Sequence, residues 1–352
     1  MNDAAGSGAD PGLDRAALHE WLPAHVAGLQ PPFRFTLVAA GGSNLTYRVD
    51  DAGGRAVVLR RPPVTAVLAT AHDMGREWRI LDALHRHTDL PVPTPRAHCD
   101  DLDVVGAPFT VMDFVDGRIL RTPADSAGFA AAEYATATDS LVAVQAALHA
   151  VDVDAIGLGD LARTRTDYVA RQLHRWMTQL DQSRTRDLPV VDEVHATLAA
   201  SIPPESGPPG LVHGDYRFDN CVLGPDGAIA AVLDWELATL GDPVADFAWS
   251  CCYWTGPDDP APFLEAAPTL DPGFPTRAAV VERYARASGR DLAALPWLEA
   301  FSYWKMGCLV EGVYARRLRG ATGGMGVTDP GTIADRAERF LRHAAGLLSR
   351  IS

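Results

Sequence analysis

The run Leu211-Val-His-Gly-Asp-Tyr-Arg-Phe-Asp-Asn220 places a histidine, a glycine, a carboxylate and an amide within one short segment. A second carboxylate, Asp234, follows fourteen residues after Asn220, in the run Ala231-Val-Leu-Asp-Trp-Glu236. Phosphoryl transfer of the kinase type uses one carboxylate at the acceptor hydroxyl, and an amide oxygen and a second carboxylate on magnesium. The spacing therefore predicts Asp215 as the catalytic carboxylate, and Asn220 and Asp234 as magnesium ligands.

The segment that joins the two motifs is predicted to be a β-hairpin. Its turn, Gly224-Pro-Asp-Gly227, combines residue types that are typical of tight turns. Asp234 then ends an apolar strand, where an isolated carboxylate would be costly to desolvate. A divalent cation on the phosphates of a nucleotide would supply the charge that this carboxylate needs.

Two further residues are predicted to support this site. His213 is expected to bond to the backbone of its own loop and to take no part in the chemistry. Glu236 either orients magnesium and its waters or forms a structural ion pair, and the sequence leaves both open. Residues 216–219 form a loop short enough to return Asn220 to the pocket that contains Asp215.

The pattern of apolar residues changes along the chain from strand-like to helical. Strands are predicted at residues 33–39, 45–49, 55–60, 103–105 and 109–114, with helices at 14–26 and 71–87. Helices dominate beyond residue 124, at residues 138–149, 168–182, 191–201 and within 276–352. We therefore predict an α+β, protein-kinase-like bilobal fold with a small antiparallel-sheet N-lobe and a mostly helical C-lobe. The predicted divisions are a disordered tail at 1–12, an N-terminal lobe at 13–114 and a C-terminal lobe at 115–352.

A glycine-rich turn is the candidate phosphate loop. Gly41-Gly42-Ser43-Asn44 separates the first two predicted strands, so the backbone N–H groups of Gly42, Ser43 and Asn44 could fold over phosphates. Many hairpins carry such a turn without any ligand, and that reading stays open. The run is not a Walker A loop, which ends in Gly-Lys-Ser/Thr before a helix.

Composition limits the classes of function. The chain has 352 residues, 47% of them hydrophobic, and a net charge of −14, which argues against electrostatic binding of nucleic acid or anionic membranes. No run approaches the ~18 apolar residues of a membrane span, and the N-terminus lacks the features of a signal peptide. Five cysteines without metal-site spacing predict buried free thiols. We expect a cytoplasmic protein whose partner is a small molecule.

The two acidic motifs resemble those of the aminoglycoside phosphotransferase-like small-molecule kinases, which read H-G-D-x-x-x-x-N followed by D-W-E or D-F-E. The likeness extends from about Phe35 to Leu318. It implies ATP and Mg²⁺ as cofactors, with ATP between the two lobes. It also implies a small-molecule hydroxyl as the acceptor of the phosphate.

The resemblance assigns further nucleotide-binding residues in the first lobe. Arg60 stands where many members carry a phosphate-binding lysine, and a guanidinium retains the charge. Glu77, on the next helix, matches the ion-pair partner of that lysine. Main-chain groups of Asp113 and Val115 are expected to bind the adenine edge, and Met112 lies beside the base or in the core.

The resemblance also extends to the second lobe. Asp242 is expected to cap a helix or brace the catalytic loop, and Asp246, near the start of that helix, is expected to act similarly. Glu311 and Tyr314 lie where the family lines its acceptor pocket.

Within the family, the chain is most similar to the kinase domain of certain acyl-CoA dehydrogenase fusion proteins. The runs that suggest this are Val58–Pro63, Arg171–Trp176, Leu233–Pro243 and Glu311–Ala315. The acceptor implied by that branch is a hydroxylated acyl-CoA. An aminoglycoside, macrolide, choline-like or sugar acceptor is the first alternative, and a catalytically silent nucleotide-binding module is the second. Protein kinase activity is disfavoured because Gly214 replaces the arginine of protein kinases and no A-P-E motif follows Asp234.

Overall fold

The structure is a computed structural model, and it describes residues 11–40, 44–63, 74–255, 267–320 and 329–351. The chain divides into two compact units. The first comprises residues 1–87 and 92–115, and the second comprises residues 88–91 and 116–352. The predicted tail at residues 1–12 lies almost wholly outside the described residues.

The described residues of the first unit form a sheet and three helices. Its elements are α1 (Arg15–His25), β1 (Arg34–Ala40), β2 (Leu45–Asp50), β3 (Ala56–Arg61), α2 (Met74–His87), β4 (Pro95–Cys99), α3 (Leu102–Val105) and β5 (Phe109–Asp113). The sheet is antiparallel with strand order β1-β2-β3-β5-β4. Alternate residues of β2 and β3 are buried, which is the period that a half-buried strand requires. Tyr47, Val57 and Leu59 are fully buried and join Phe109 in the core of this unit.

The segment after α2 differs from the prediction. Residues 103–105, predicted to be a strand, form helix α3, because Asp101 accepts a hydrogen bond from the Asp103 N–H and Gly106 ends the helix at φ 77°. The sheet still has five strands, because strand β4, which was not predicted, takes the place of the predicted strand at residues 103–105. Strand β4 begins at Pro95 and lies at an edge of the sheet, where a proline in the first position removes no ladder bond.

The second unit is mainly helical. Its elements are α4 (Ala131–His149), α5 (Tyr168–Ser183), α6 (Pro189–Ala200), β6 (Gly210–Val212), β7 (Cys221–Leu223), β8 (Ile229–Val232), β9 (Thr239–Gly241), α7 (Pro243–Tyr253), α8 (Arg277–Ser288), α9 (Leu295–Leu318) and α10 (Pro330–Ile351). The predicted hairpin is confirmed, since β7 and β8 pair antiparallel around the turn at 224–227. A second two-stranded ladder, β6 with β9, was not predicted.

Helix α9 lies at the centre of the second unit and packs against α5, α7 and α10. Gly307 permits the close approach of α10, because a Cβ at this position would lie 2.6 Å from the Leu341 side chain. All five cysteines are buried and free, as predicted. Among the described helices, none combines the length and the apolar character that crossing a bilayer requires.

Candidate active site

Residues 213–220 contain the candidate catalytic residue Asp215 and are called the catalytic loop below; they begin where β6 ends. His213, Gly214 and Asp215 follow the strand directly, and a single 3₁₀ turn, Phe218–Asn220, leads into β7. Gly214 adopts φ 84°, and a Cβ there would lie 2.9 Å from the Leu237 side chain, so only glycine fits without strain. The loop thus delivers Asp215 and Asn220 to the same end of the two short strand pairs.

His213 joins the catalytic loop to the strand that precedes Asp234. Its Nδ1 accepts a hydrogen bond from the Asp215 backbone N–H at 3.3 Å, and its Nε2 donates to the Leu233 carbonyl at 2.9 Å. The ring is fully buried and lies 4.9 Å from the Trp235 ring. Both ring nitrogens are therefore occupied by backbone groups, and His213 positions the two motifs relative to each other.

Asn220 is held between the same two motifs. Its Nδ2 donates to the Asp215 carbonyl at 2.8 Å and to the Asp215 carboxylate at 3.0 Å. Its own carbonyl accepts from the Leu233 N–H at 2.7 Å. Within the described part of the chain, Oδ1 of Asn220 accepts no hydrogen bond, so the atom that magnesium would need is available.

Asp234 adopts the left-handed conformation, with φ 64° and ψ 66°. It stands between β8 and a 3₁₀ turn, Trp235–Leu237, in which Glu236 is half-buried. A non-glycine residue in this region is uncommon, and such conformations concentrate at functional sites. One carboxylate and one amide oxygen suit Mg²⁺, which takes few protein ligands and completes its shell with water and phosphate. The residues present therefore fit the ion.

Asp246 braces the catalytic loop from helix α7. Its carboxylate accepts hydrogen bonds from the backbone N–H groups of His213 at 3.2 Å and Gly214 at 2.8 Å. His149 Nε2 donates to the same carboxylate at 3.1 Å, and its Nδ1 accepts from the Tyr284 hydroxyl at 2.7 Å. Burial raises the pKa of Asp246, but the hydrogen bond from His149 and that from Gly214 outweigh it, so the pKa lies below its usual range.

Asp242 has a different role from Asp246. It caps α7, where its carboxylate accepts from the Val244 N–H at 2.8 Å and the Ala245 N–H at 3.4 Å. Such caps satisfy N–H groups that the first helical turn leaves without partners. Of the two roles expected for these aspartates, the structure gives the cap to Asp242 and the loop contact to Asp246.

Arg217 is a site residue that the sequence analysis missed. Its Nε lies 3.5 Å from the Asp215 carboxylate, and its Nη1 lies 3.5 Å from that of Asp219. The guanidinium stacks 4.5 Å above the Tyr253 ring. Burial raises the pKa of Tyr253 well above its ordinary value, and Asp215 adds to the rise. The sequence could have indicated this role, because Arg217 stands inside the motif between the carboxylates of Asp215 and Asp219.

The predicted nucleotide residues belong to the first unit. Arg60 on β3 forms an ion pair with Glu77 on α2, with Nη1 and Oε1 2.5 Å apart, and the Glu77 side chain is only 1% exposed. Met112 is buried in β5, and Asn44 is buried just before β2. Gly42 and Ser43 lie outside the described residues.

The remaining residues of the predicted adenine site are half-buried. The Asp113 carboxylate pairs with Arg55 at 3.0 Å and with Arg96. The Asp113 backbone N–H donates to the Thr94 carbonyl at 2.9 Å. Val115 ends the first unit. The adenine contacts of Asp113 and Val115 stay a prediction.

Glu311 and Tyr314 are drawn into an ion-pair network. Glu311 is buried and accepts from Arg186 at 2.8 Å, and the same guanidinium lies 5.1 Å from the Tyr314 ring centroid and 3.1 Å from Glu338. These contacts tie α9 to α10. Their predicted place in an acceptor pocket stays a prediction.

The chain is similar to known proteins along most of its length. The model of the phosphotransferase enzyme family, abbreviated APH, matches residues 34–301. A crystal structure from Ralstonia eutropha, classed with the aminoglycoside phosphotransferases, is 31% identical, covers 96% of this chain and 98% of its own, and superposes with a TM-score of 0.81. The chain belongs to the phosphotransferase enzyme family, and its α+β, protein-kinase-like fold is confirmed.

Two curated relatives have names that refer to a different enzyme class. Rat acyl-CoA dehydrogenase family member 11 is 32% identical over 317 residues, which are 88% of this chain and 40% of the relative. Mouse acyl-CoA dehydrogenase family member 10 is 34% identical over 289 residues, 80% of this chain and 26% of the relative. The chain thus spans less than half the length of these relatives. The predicted similarity to kinase-like domains of such proteins is confirmed.

Proposed function

We propose that this chain is an ATP- and magnesium-dependent phosphotransferase that transfers the γ-phosphate to a hydroxyl group of a small molecule. The observation that supports it best is that His213 and Asn220 each form hydrogen bonds to both Asp215 and Leu233. These hydrogen bonds link the proposed catalytic carboxylate to one candidate magnesium ligand, Asn220, and to Leu233, the residue that precedes the other candidate, Asp234. Kinase-type catalysis is mostly positioning and charge neutralisation, so a rigid framework of this kind suits it.

The roles of the individual residues follow from their chemistry. The Asp215 carboxylate accepts the hydrogen bond of the acceptor hydroxyl and takes its proton as the oxygen bonds to the γ-phosphorus. The bond between the γ-phosphorus and the bridging oxygen breaks, and ADP leaves with that electron pair. Asn220 and Asp234 would hold Mg²⁺, which neutralises charge on the phosphates when it is bound. Arg217, whose Nε lies 3.5 Å from the Asp215 carboxylate, orients it until the acceptor enters.

A hydroxyacyl-CoA-type metabolite is the acceptor that we favour. Two curated relatives are named as acyl-CoA dehydrogenase family members, and this chain aligns with only part of each. A kinase domain attached to such an enzyme would act on the same class of thioester. An antibiotic acceptor is the alternative, because the similar Ralstonia eutropha structure is classed with the aminoglycoside phosphotransferases.

Turnover with a panel of acceptors tests the proposed function. ADP release should be measured with ATP and Mg²⁺ against hydroxyacyl-CoAs, kanamycin and choline, and ATP binding should be measured in parallel by calorimetry. ADP release that depends on one class of acceptor would support the kinase and identify its substrate. ATP binding without ADP release across the panel would favour the silent nucleotide-binding module.

Replacing Asp234 by asparagine should raise the magnesium requirement. The substitution retains the shape of the side chain and removes its charge, and losing one charged contact costs about 1.5–3 kcal/mol. We expect the Mg²⁺ concentration for half-maximal ADP release to rise about tenfold or more. Asp226→Asn, in the exposed hairpin turn, is the matched control. An unchanged requirement in Asp234→Asn would exclude Asp234 as a ligand.

Arg60 can be tested against the lysine that many family members carry. An ammonium at this position can still pair with Glu77 and bind a phosphate oxygen, although it loses the planar donor pair of a guanidinium. We expect Arg60→Lys to bind ATP within about tenfold of wild type, and Arg60→Met to bind it about tenfold to a hundredfold more weakly. Calorimetric titration with ATP measures both. Equal affinity of Arg60→Met and wild type would remove Arg60 from the nucleotide site.

A further inference from the structure

Lys305 is the only lysine in the chain, and the other 30 of the 31 basic residues are arginine. It lies in the middle of α9, on a stretch where most neighbouring residues are buried. The lysine itself is half-buried. A long cationic side chain at such a position is uncommon unless it has a partner.

Two tryptophans from different helices surround the Lys305 ammonium. Its Nζ lies 3.8 Å from the ring centroid of Trp249 on α7 and 5.6 Å from that of Trp176 on α5. Such contacts stabilise a cation over the face of an indole ring but use none of its N–H donors. Among the residues that the structure describes, Lys305 forms no hydrogen bond and no ion pair. Its three N–H donors are therefore available to a ligand.

Ring contacts connect Lys305 to the candidate active site, because the Trp249 ring lies 5.6 Å from the ring of Tyr253, on which Arg217 stacks. Burial lowers the pKa of Lys305 to about 8, and the carboxylates of Asp246 and Asp215 act in the opposite direction. Cys252 on α7 also raises this pKa, whereas Arg175 on α5 lowers it. Asp246 is already occupied by two backbone N–H groups and His149. Among the described residues, the ammonium consequently has no strong partner of its own.

Arg217 adds a second cation on the same side of the loop. It lies 3.5 Å from Asp215 and stacks on Tyr253, which belongs to α7 like Trp249. In a chain of net charge −14, two cations thus accompany the carboxylate that is proposed to bind the acceptor hydroxyl. Because Arg217 is already paired with Asp215 and Asp219, Lys305 is the cation whose N–H donors suit an anionic group of the acceptor.

We propose that Lys305 binds an anionic oxygen group of the acceptor, either the carboxylate of a hydroxy acid or a phosphate of its coenzyme A thioester, against the rings of Trp249 and Trp176. The inference rests on the proposed phosphotransferase function, because it assigns Asp215 to the acceptor hydroxyl. It makes Lys305 a specificity-determining residue, and it favours anionic acceptors over aminoglycosides.

The single lysine allows a direct measurement that does not depend on turnover. Protein labelled with isotope-enriched lysine should give one lysine Cε resonance, whose position reports the protonation of Lys305. In the free protein we expect its titration midpoint near pH 8. A bound anion stabilises the charged ammonium, so hydroxybutyrate or hydroxybutyryl-CoA should move the midpoint to higher pH. The free acid and the thioester distinguish a carboxylate from a phosphate as the bound group, and kanamycin should leave the midpoint unchanged.

Substitution separates a binding role from a structural one. Lys305→Met retains the apolar stem on Trp249 and removes the charge, so we expect the Kd for the anionic probe to rise about tenfold to a hundredfold. ATP affinity should stay at the wild-type value. Arg286→Met is the matched control, because its side chain is 71% exposed on α8 and the charge change is the same.

Either of two results would overturn the inference. The first is a lysine resonance that neither anionic probe moves, and the second is an equal shift with kanamycin. ATP binding should be measured on the same sample, because it tests the proposed kinase function separately from the role of Lys305. Wild-type protein that binds no ATP would contradict the kinase proposal, while the lysine titration with the anionic probes would still decide the role of Lys305.

Discussion

Asp215→Ala is expected to lower kcat by about 10²–10⁴-fold while the protein folds normally. The carboxylate is the group that accepts the hydroxyl proton in the proposed reaction, and no other described carboxylate is tied to Asn220 in the same way. The side chain is 22% exposed, so its removal leaves no closed cavity. Asn220 would also keep its hydrogen bond to the Asp215 carbonyl. ADP release with the acceptor that the panel identifies measures the effect.

Asp219→Ala is the matched control for Asp215→Ala. Both carboxylates lie 3.5 Å from the Arg217 guanidinium in the same loop, so both variants remove one of its ion pairs. We expect kcat of Asp219→Ala to stay within about fivefold of wild type, since a partly exposed ion pair is worth at most about 1 kcal/mol. Equal losses in the two variants would mean that the loop geometry, and not the Asp215 carboxylate, limits turnover.

Asp246→Ala is expected to lower the free energy of unfolding by about 3–5 kcal/mol. The variant leaves three buried donors without an acceptor, namely the backbone N–H groups of His213 and Gly214 and the His149 ring. Leaving buried donors unpaired costs far more than the net contribution of the hydrogen bonds themselves. Because those N–H groups hold the catalytic loop, kcat should fall as well. Denaturant unfolding followed by circular dichroism measures the loss of stability.

Asp152→Ala provides the comparison for Asp246→Ala. Asp152 also accepts from two backbone N–H groups, those of Asp154 and Ala155, but it does so at the exposed surface. Water can replace the lost acceptor there, so we expect a cost of about 1 kcal/mol or less. If both variants lost a similar free energy of unfolding, the burial of the Asp246 hydrogen bonds would contribute little to stability.

The destabilisation of Asp246→Ala should also depend on pH. The folded-state pKa of Asp246 lies below its ordinary value of 3.8, so its charged form stabilises the folded protein above that value. This contribution is lost as pH falls through the lower folded-state pKa. Wild type and variant should therefore become more alike in stability below about pH 4. A difference that grows in acid would mean that protonated Asp246 is the form the fold prefers.

Much of the fold could be predicted from the sequence because it is encoded in short windows. Buried and half-buried residues alternate in β2 and β3, and a few neighbouring residues are enough to show it. The same is true of the turn at 224–227 and of the helical period of the later segments. Strands β6 and β9 were missed because three residues are too short to show a period. The region of α3 was misassigned because its cap and its terminal glycine outweigh a short apolar run.

The candidate site, like the fold, could be predicted only in part from the sequence. The sequence by itself determined which residues are the candidates for catalysis and magnesium binding, since Asp215, Asn220 and Asp234 lie within one loop and one hairpin. Only the tertiary structure decided how they are supported: His149 reaches Asp246 across 97 positions of the chain. Lys305 likewise meets indole rings from two other helices. Such contacts depend on how whole helices pack, and no local pattern of residues records that packing.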